Sequence, residues 1–153
     1  MKTIILIPFF LFIIQDVFAQ LETDSLQLVT TLEEMFTVCN SSSPEINGSD
    51  VIIFDRLAPY LLYCCEDESR KGKEAFDYNK AADRRQVDQM GTKIKNWLDS
   101  YDSYSVKKYM TQTKKDGTVW YALGIEFKNK NTNEEKIFAF LKIGGSFLLG
   151  DID

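Results

Sequence analysis

Histidine is absent from the 153-residue chain. Without imidazole there is no Ser-His-Asp or Cys-His relay, no histidine-ligated zinc or haem, and no histidine switch near neutral pH. Long apolar runs are missing too. The longest stretch, Ile4 to Ile14, falls well short of the ~20 residues that a bilayer-spanning helix needs, so no stable membrane span is expected. Positive charge is also scarce, with 18 Lys plus Arg against 23 Asp plus Glu and a net charge of −5. A nucleic-acid partner would require a face of Lys and Arg directed at phosphates. The one basic cluster, Arg70-Lys71-Gly72-Lys73, directly follows Glu66-Asp67-Glu68 and reads as a solvated loop. An Asp-x-Asp-x-Asp-Gly loop with a following Glu is lacking, and Asp151 and Asp153 read as solvated acids rather than as metal ligands. Neither Gly144-Gly145 nor Gly150 leads into a helix, which excludes a phosphate-cradling loop. No metal and no cofactor is therefore expected.

What is present begins with a leader. Met1-Lys2-Thr3 is a short positive segment, Ile4 to Ile14 is apolar, and Val17 and Ala19 place small residues at the −3 and −1 positions before Gln20. This pattern predicts a signal peptide over residues 1–19 and an exported protein, periplasmic or extracellular, made of residues 20–153. No Cys follows Ala19, so a lipid anchor is not expected. Lys2 and Asp16 leave together, and the net charge stays at −5. The remaining length suits a single domain with its own core.

Export makes Cys39, Cys64 and Cys65 candidates for a disulfide. Joining Cys39 to Cys64 or to Cys65 would close about 25 residues and contribute about 3.5 kcal/mol by loop entropy. The alternative is that these are small buried apolar side chains. A catalytic thiolate would have no imidazole to activate it.

Asp24 with Gln27 resembles a capping box, and Leu28, Leu32, Met35 and Cys39 recur at helical spacing beside Val29 and Phe36, which predicts a first amphipathic helix. The segment Asn40 to Ser49 is rich in turn residues and holds two glycosylation sequons, at Asn40 and Asn47. Ser49 or Asp50 is positioned to cap a short second helix carrying Ile53, Phe54 and Leu57, which weakens at Ala58 because Pro59 follows. Glu66 to Lys80 reads as a loop. Asp83 and Gln86 then cap a third helix, in which Val87, Met90, Ile94, Trp97 and Tyr101 form one stripe with Leu98 beside it.

After Ser103 the period becomes two. Strands are predicted at residues 105–113, 118–128, 136–143 and 146–152, joined by an Asp116-Gly117 hairpin, a polar turn from Asn129 to Asn133, and Gly144-Gly145. Such short turns impose an antiparallel meander. Both faces of the central strands are apolar: Val119, Tyr121, Leu123, Ile125 and Phe127 alternate with Trp120, Ala122 and Gly124, and Phe138 and Phe140 alternate with Ile137, Ala139, Leu141 and Ile143. One face packs against the helices, whereas the other needs cover from a curled sheet, a partner or a ligand. The expected fold is α+β, with three N-terminal helices packed on a strongly curved four-stranded antiparallel meander.

The order of three helices and a meander, with a stripe ending in Trp97-Leu98, resembles the nuclear transport factor 2-like superfamily. The segments Leu57-Ala58-Pro59-Tyr60, Val119-Trp120-Tyr121, Phe138 to Ile143 and Gly150 to Asp153 are similar to an exported bacterial group of that fold. The resemblance implies a cone in which a bent sheet wraps a long helix and leaves a pocket at its open end. It does not choose a function, because the superfamily includes isomerases, dehydratases, transport adaptors and assembly modules. The residues favour an exported, non-catalytic binding or interaction module for a small apolar ligand or a protein partner, with a homodimer through the outer sheet face as one form. Phe54, Tyr60, Tyr63, Trp97, Tyr101 and Trp120 are its candidate ligand residues. The alternative is a cofactor-free isomerase or dehydratase, with a carboxylate base such as Asp55 and a phenol from Tyr60, Tyr63, Tyr101, Tyr104 or Tyr121. A third reading is an envelope-associated protein that uses surface loops.

Overall fold

One helix of 34 residues, α1 (Pro8–Ser41), opens the chain, followed by a six-residue 3-10 helix (Asp55–Tyr60) and α2 (Ala81–Ser100). Four strands complete it: β1 (Ser103–Thr113), β2 (Val119–Lys128), β3 (Asn133–Ile143) and β4 (Ser146–Ile152). The structure, a computed structural model, describes residues 8–42, 52–63 and 74–153, with side chains from Glu22 onward. The domain is α+β, and its sheet is a fully antiparallel meander in the order β1-β2-β3-β4.

The helices differ from expectation at their starts. Asp24 lies inside α1 and does not cap it, because no Gly or Pro interrupts the chain between Phe9 and Ser41 and the helix runs through from Pro8. The 3-10 helix replaces the expected short α-helix and begins at Asp55, with Phe54 just before it. Its tighter turns accommodate Pro59, which disfavours α geometry at Ala58. The proposed caps Ser49 and Asp50 lie outside the described residues. In α2 the helix starts at Ala81, two residues before Asp83, whose carboxylate instead accepts the Asp77 N–H at 2.9 Å and so fixes the incoming turn.

The strands follow their period. Gly117 closes the first hairpin at φ +84°, and Gly144 and Gly145 turn the last one at φ +57° and +86°, values that residues with a Cβ rarely adopt. Strand β3 starts earlier than its apolar pattern does. Asn133, Glu134 and Glu135 pair with Lys128, Phe127 and Glu126; Lys136 and Lys108 meet the two glutamates, and the Asn133 amide donates to Glu126 at 3.2 Å. Two bulges interrupt the ladders, one at Lys107 in β1 and one at Gly150 in β4.

The core lies on one face of the sheet. Leu123, Ile125, Phe127, Phe138, Phe140, Phe147 and Leu149 bury against Leu28, Leu32, Met35 and Phe36 of α1 and Val87 and Ile94 of α2. Phe36 meets Phe127 and Phe138 with centroids 6.0 and 5.6 Å away, and Trp97 meets the same two rings at 6.0 and 6.1 Å, so both helices reach the same strands. Leu61 bridges to Leu149 in parallel, and the Leu62 N–H donates to the Leu149 carbonyl at 2.8 Å. This single rung places Leu61 in the core, while the Leu62 side chain packs beside Gly150 and Trp120.

Candidate functional site

The face of the sheet that turns away from the helices carries a half-open trough of about 470 Å³. Its depth is set by side-chain size along one cross-strand row. Met110 of β1, Ala122 of β2, Ala139 of β3 and Asp151 of β4 are successive partners. The two alanines in the middle form a low floor, because neither reaches past its Cβ. Trp120 walls one end and Ile137 the other, with Gln112 and Lys114 along the β1 side and Asp151 and Asp153 along the β4 side. Adjacent strands lie about 4.8 Å apart, so the row from Met110 to Asp151 spans about 14 Å.

Trp120 is held from two directions. The Lys114 ammonium lies 5.0 Å from its ring centroid. The ring edge lies against Gly150, where a Cβ would stand only 2.8 Å from two ring carbons, so glycine at the β4 bulge is what lets the indole lie down on the strand. The sheet face is sharply divided. At the end away from Trp120, Lys107 and Lys128 each approach Glu126 at 3.0 Å, and Lys108 approaches Glu135 at 2.7 Å. These charges satisfy one another, and the Glu126 carboxyl is held down at about 2 by Lys107, Lys128 and Asn133. The trough end has no such mutual cover.

The six residues proposed from sequence do not line one cavity. Phe54 is buried in the core against Gly91, and its N–H donates to the Tyr78 hydroxyl at 3.3 Å. Tyr60 lines a separate surface groove with Gln27, Thr31 and Phe147, and its hydroxyl donates to Glu34 at 3.3 Å. Tyr63 stacks edge-on against Phe76 at 4.9 Å. Trp97 packs on Phe127 and Phe138, with the Lys93 and Lys136 ammonium groups each 5.4 Å from its centroid. Tyr101 packs on Phe127 and donates to Glu134 at 2.8 Å, a bond that raises its phenol pKa. Only Trp120 belongs to the trough. Trp97 and Tyr101 lie where the apolar stripe of α2 sends aromatic rings, into the contact between helix and sheet.

The carboxylate and phenol groups of the enzyme reading are also dispersed. Asp55 is exposed and accepts the N–H of Arg56 at 2.8 Å. Tyr104 packs edge-on against Phe36 at 4.9 Å, and Tyr121 likewise against Phe147 at 5.0 Å. Of the two buried acids among the described residues, Asp24 is ion-paired to Lys142 at 2.6 Å, and Asp83 holds the Asp77 N–H. The Tyr109 hydroxyl is buried without a hydrogen-bond partner among the described residues, and burial, with the Asp24 charge adding, raises its pKa. Cys39 is a free thiol at 0% exposure, pushed up to about 12 by burial against a smaller opposing effect from Lys95; Cys64 and Cys65 lie outside the described residues. Asn40 is exposed at the last turn of α1, and Asn47 lies outside the described residues.

Sequence reasoning missed Met110, Gln112 and Lys114 as a trough wall, because a hairpin's first strand reads only as amphipathic. It did contain the signal for the floor, namely the small residues Ala122, Gly124 and Ala139 at alternate positions opposite a fully apolar core face. Among the described residues no helix is long and apolar enough to cross a membrane, and no group of three Cys, Asp or Glu side chains converges. Compared with protein-family models, curated proteins and solved structures, the chain matches none.

Proposed function

We propose that the protein is an exported, non-catalytic binding module whose outer-face trough takes a small apolar ligand. The observation that carries this reading is the trough itself. It is an apolar depression floored by Ala122 and Ala139 and walled by Trp120, Met110 and Ile137, on a sheet whose other half neutralises its own charges. Apolar concavities of this size are the usual seat of small ligands. A nuclear transport factor 2-like cone is part of the proposal, supported by one antiparallel meander with α1 and α2 meeting the same strand face. The interior that such a cone would offer is filled by Phe36, Phe127, Phe138 and Phe140, all at 0–1% exposure, which favours the outer face as the site. Export rests on the leader over residues 1–19.

The test is titration with N-phenyl-1-naphthylamine, a neutral apolar fluorophore, on the wild type and on Ala139→Leu. Leucine at 139 fills the floor without touching the core face, so probe affinity is expected to fall at least about tenfold while the melting temperature holds. Equal affinity in both proteins would overturn the reading. A dimer in sedimentation velocity that Ala139→Leu dissociates would assign the face to a second copy instead.

A further inference from the structure

The two long sides of the trough differ in charge. On the sheet's other acids the pattern is uniform, since Glu126, Glu134 and Glu135 each have a lysine ammonium within 3.0 Å. Asp151 and Asp153, on the β4 side of the trough, break it. Both are exposed, and no cationic side chain among the described residues lies within ion-pair distance of either. Among the described residues the Asp151 carboxylate accepts only its neighbouring Ile152 N–H, at 2.9 Å. Lys93 comes nearest in role, but its ammonium donates to the Ile152 carbonyl at 3.1 Å. Asp151 directly follows Ala139 in the cross-strand row, so a ligand lying on the alanine floor has its end beside that carboxylate, with Asp153 one row further along.

From this charge complementarity we propose that the trough selects a cationic amphiphile, a small organic molecule with an apolar body and an ammonium or guanidinium head. The body lies over Ala122 and Ala139 between Met110 and Ile137, and the head meets Asp151 and Asp153. Lys114, at the opposite side beside Trp120, repels the same head and so fixes the orientation in which the ligand enters. The inference rests on the small-ligand reading of the trough and adds the sign of the ligand's charge.

Competition against the bound neutral fluorophore separates the two claims. Dodecyltrimethylammonium and dodecylphosphate, below their micelle concentrations and at low salt, present the same chain with opposite heads. The cationic amphiphile is expected to displace the fluorophore at about tenfold lower concentration, since two exposed pairing groups of ordinary strength act together. In Asp151→Asn/Asp153→Asn that ratio, each concentration being referred to the variant's own fluorophore affinity, is expected to fall to one or below, because Lys114 remains in the trough; a ratio still near ten would overturn the role of the two carboxylates. Both positions are exposed, so circular dichroism should report an unaltered fold. Equal displacement by the two amphiphiles in the wild type, or preference for the anionic one, would overturn charge selection while leaving the trough as a site. Failure of the neutral fluorophore to bind would overturn both.

Discussion

Gly91 sets two well-understood effects against each other. It sits inside α2, where replacing glycine by alanine removes a conformational-entropy penalty and is worth about 1 kcal/mol of stabilisation. Its missing Cβ, however, is the space that Phe54 uses. A Cβ there would stand 2.3, 2.4 and 2.8 Å from three carbons of the ring, where carbon atoms prefer about 3.5–4.0 Å, so the ring has to withdraw by about 1.2 Å. Phe54 is 1% exposed, and its N–H is tied to the Tyr78 hydroxyl, which itself donates to Asp88 at 2.6 Å. Withdrawal therefore strains a packed and hydrogen-bonded corner, at a cost of about 3 kcal/mol. The net expectation for Gly91→Ala is a loss of about 2 kcal/mol, or about 6 °C in melting temperature for a domain of this size. Urea and thermal unfolding followed by far-ultraviolet circular dichroism would measure it. In a Phe54→Ala background the same change should become neutral or stabilising by up to about 1 kcal/mol, because only the helix effect remains. A rise in melting temperature for Gly91→Ala alone would refute the packing of Phe54 on α2.

Two further outcomes follow from charge and burial. Glu126 titrates near 2 in the folded protein against an ordinary value of 4.5, so the stability it contributes is present above about 4.5 and is lost as pH falls through about 2. Urea midpoints measured at pH 5, 3 and 2 should therefore drop more steeply for the wild type than for Glu126→Gln, and parallel curves would show that Lys107 and Lys128 do not hold the carboxylate. Cys39, fully buried with its thiol pushed up to about 12, should resist iodoacetamide at pH 8 under reducing, native conditions and react on unfolding. Rapid native alkylation of the peptide that contains it would place the thiol at the surface.

The strands were the most legible part of the chain, because alternation and positive-φ glycines are local signals. Asp116-Gly117 and Gly144-Gly145 mark their turns in the sequence, and the hairpins formed there. Helix starts were less legible. Asp24 carries the chemistry of a cap, yet its partner is Lys142, 118 residues away, a pairing that no window of sequence displays. Asp83 also looks like a cap and instead holds the turn before its own helix. Phe54, Tyr63, Trp97 and Tyr101 were candidate ligand residues by sequence, yet each packs against neighbouring side chains, because composition cannot tell a pocket lining from a packed contact. The trough depends on which small residue faces which across the sheet. That register is fixed by the bulge at Gly150, a single residue whose effect is to bring Asp151 opposite Ala139.

The rung between Leu61 and Leu149 has a consequence for how the sheet meets other chains. A sheet with two bare margins is a template that can be extended without limit, each added strand exposing the next. Here the β4 margin is plugged at Leu149 by the protein's own backbone, while among the described residues no strand pairs with the outer margin of β1, whose Lys107 and Lys108 are drawn inward onto Glu126 and Glu135. Among the described residues, only the β1 side is left without a backbone partner for strand addition. Any pairing of β1 with β1 of another molecule uses up both open margins at once, so it terminates at two chains and cannot propagate into a fibre.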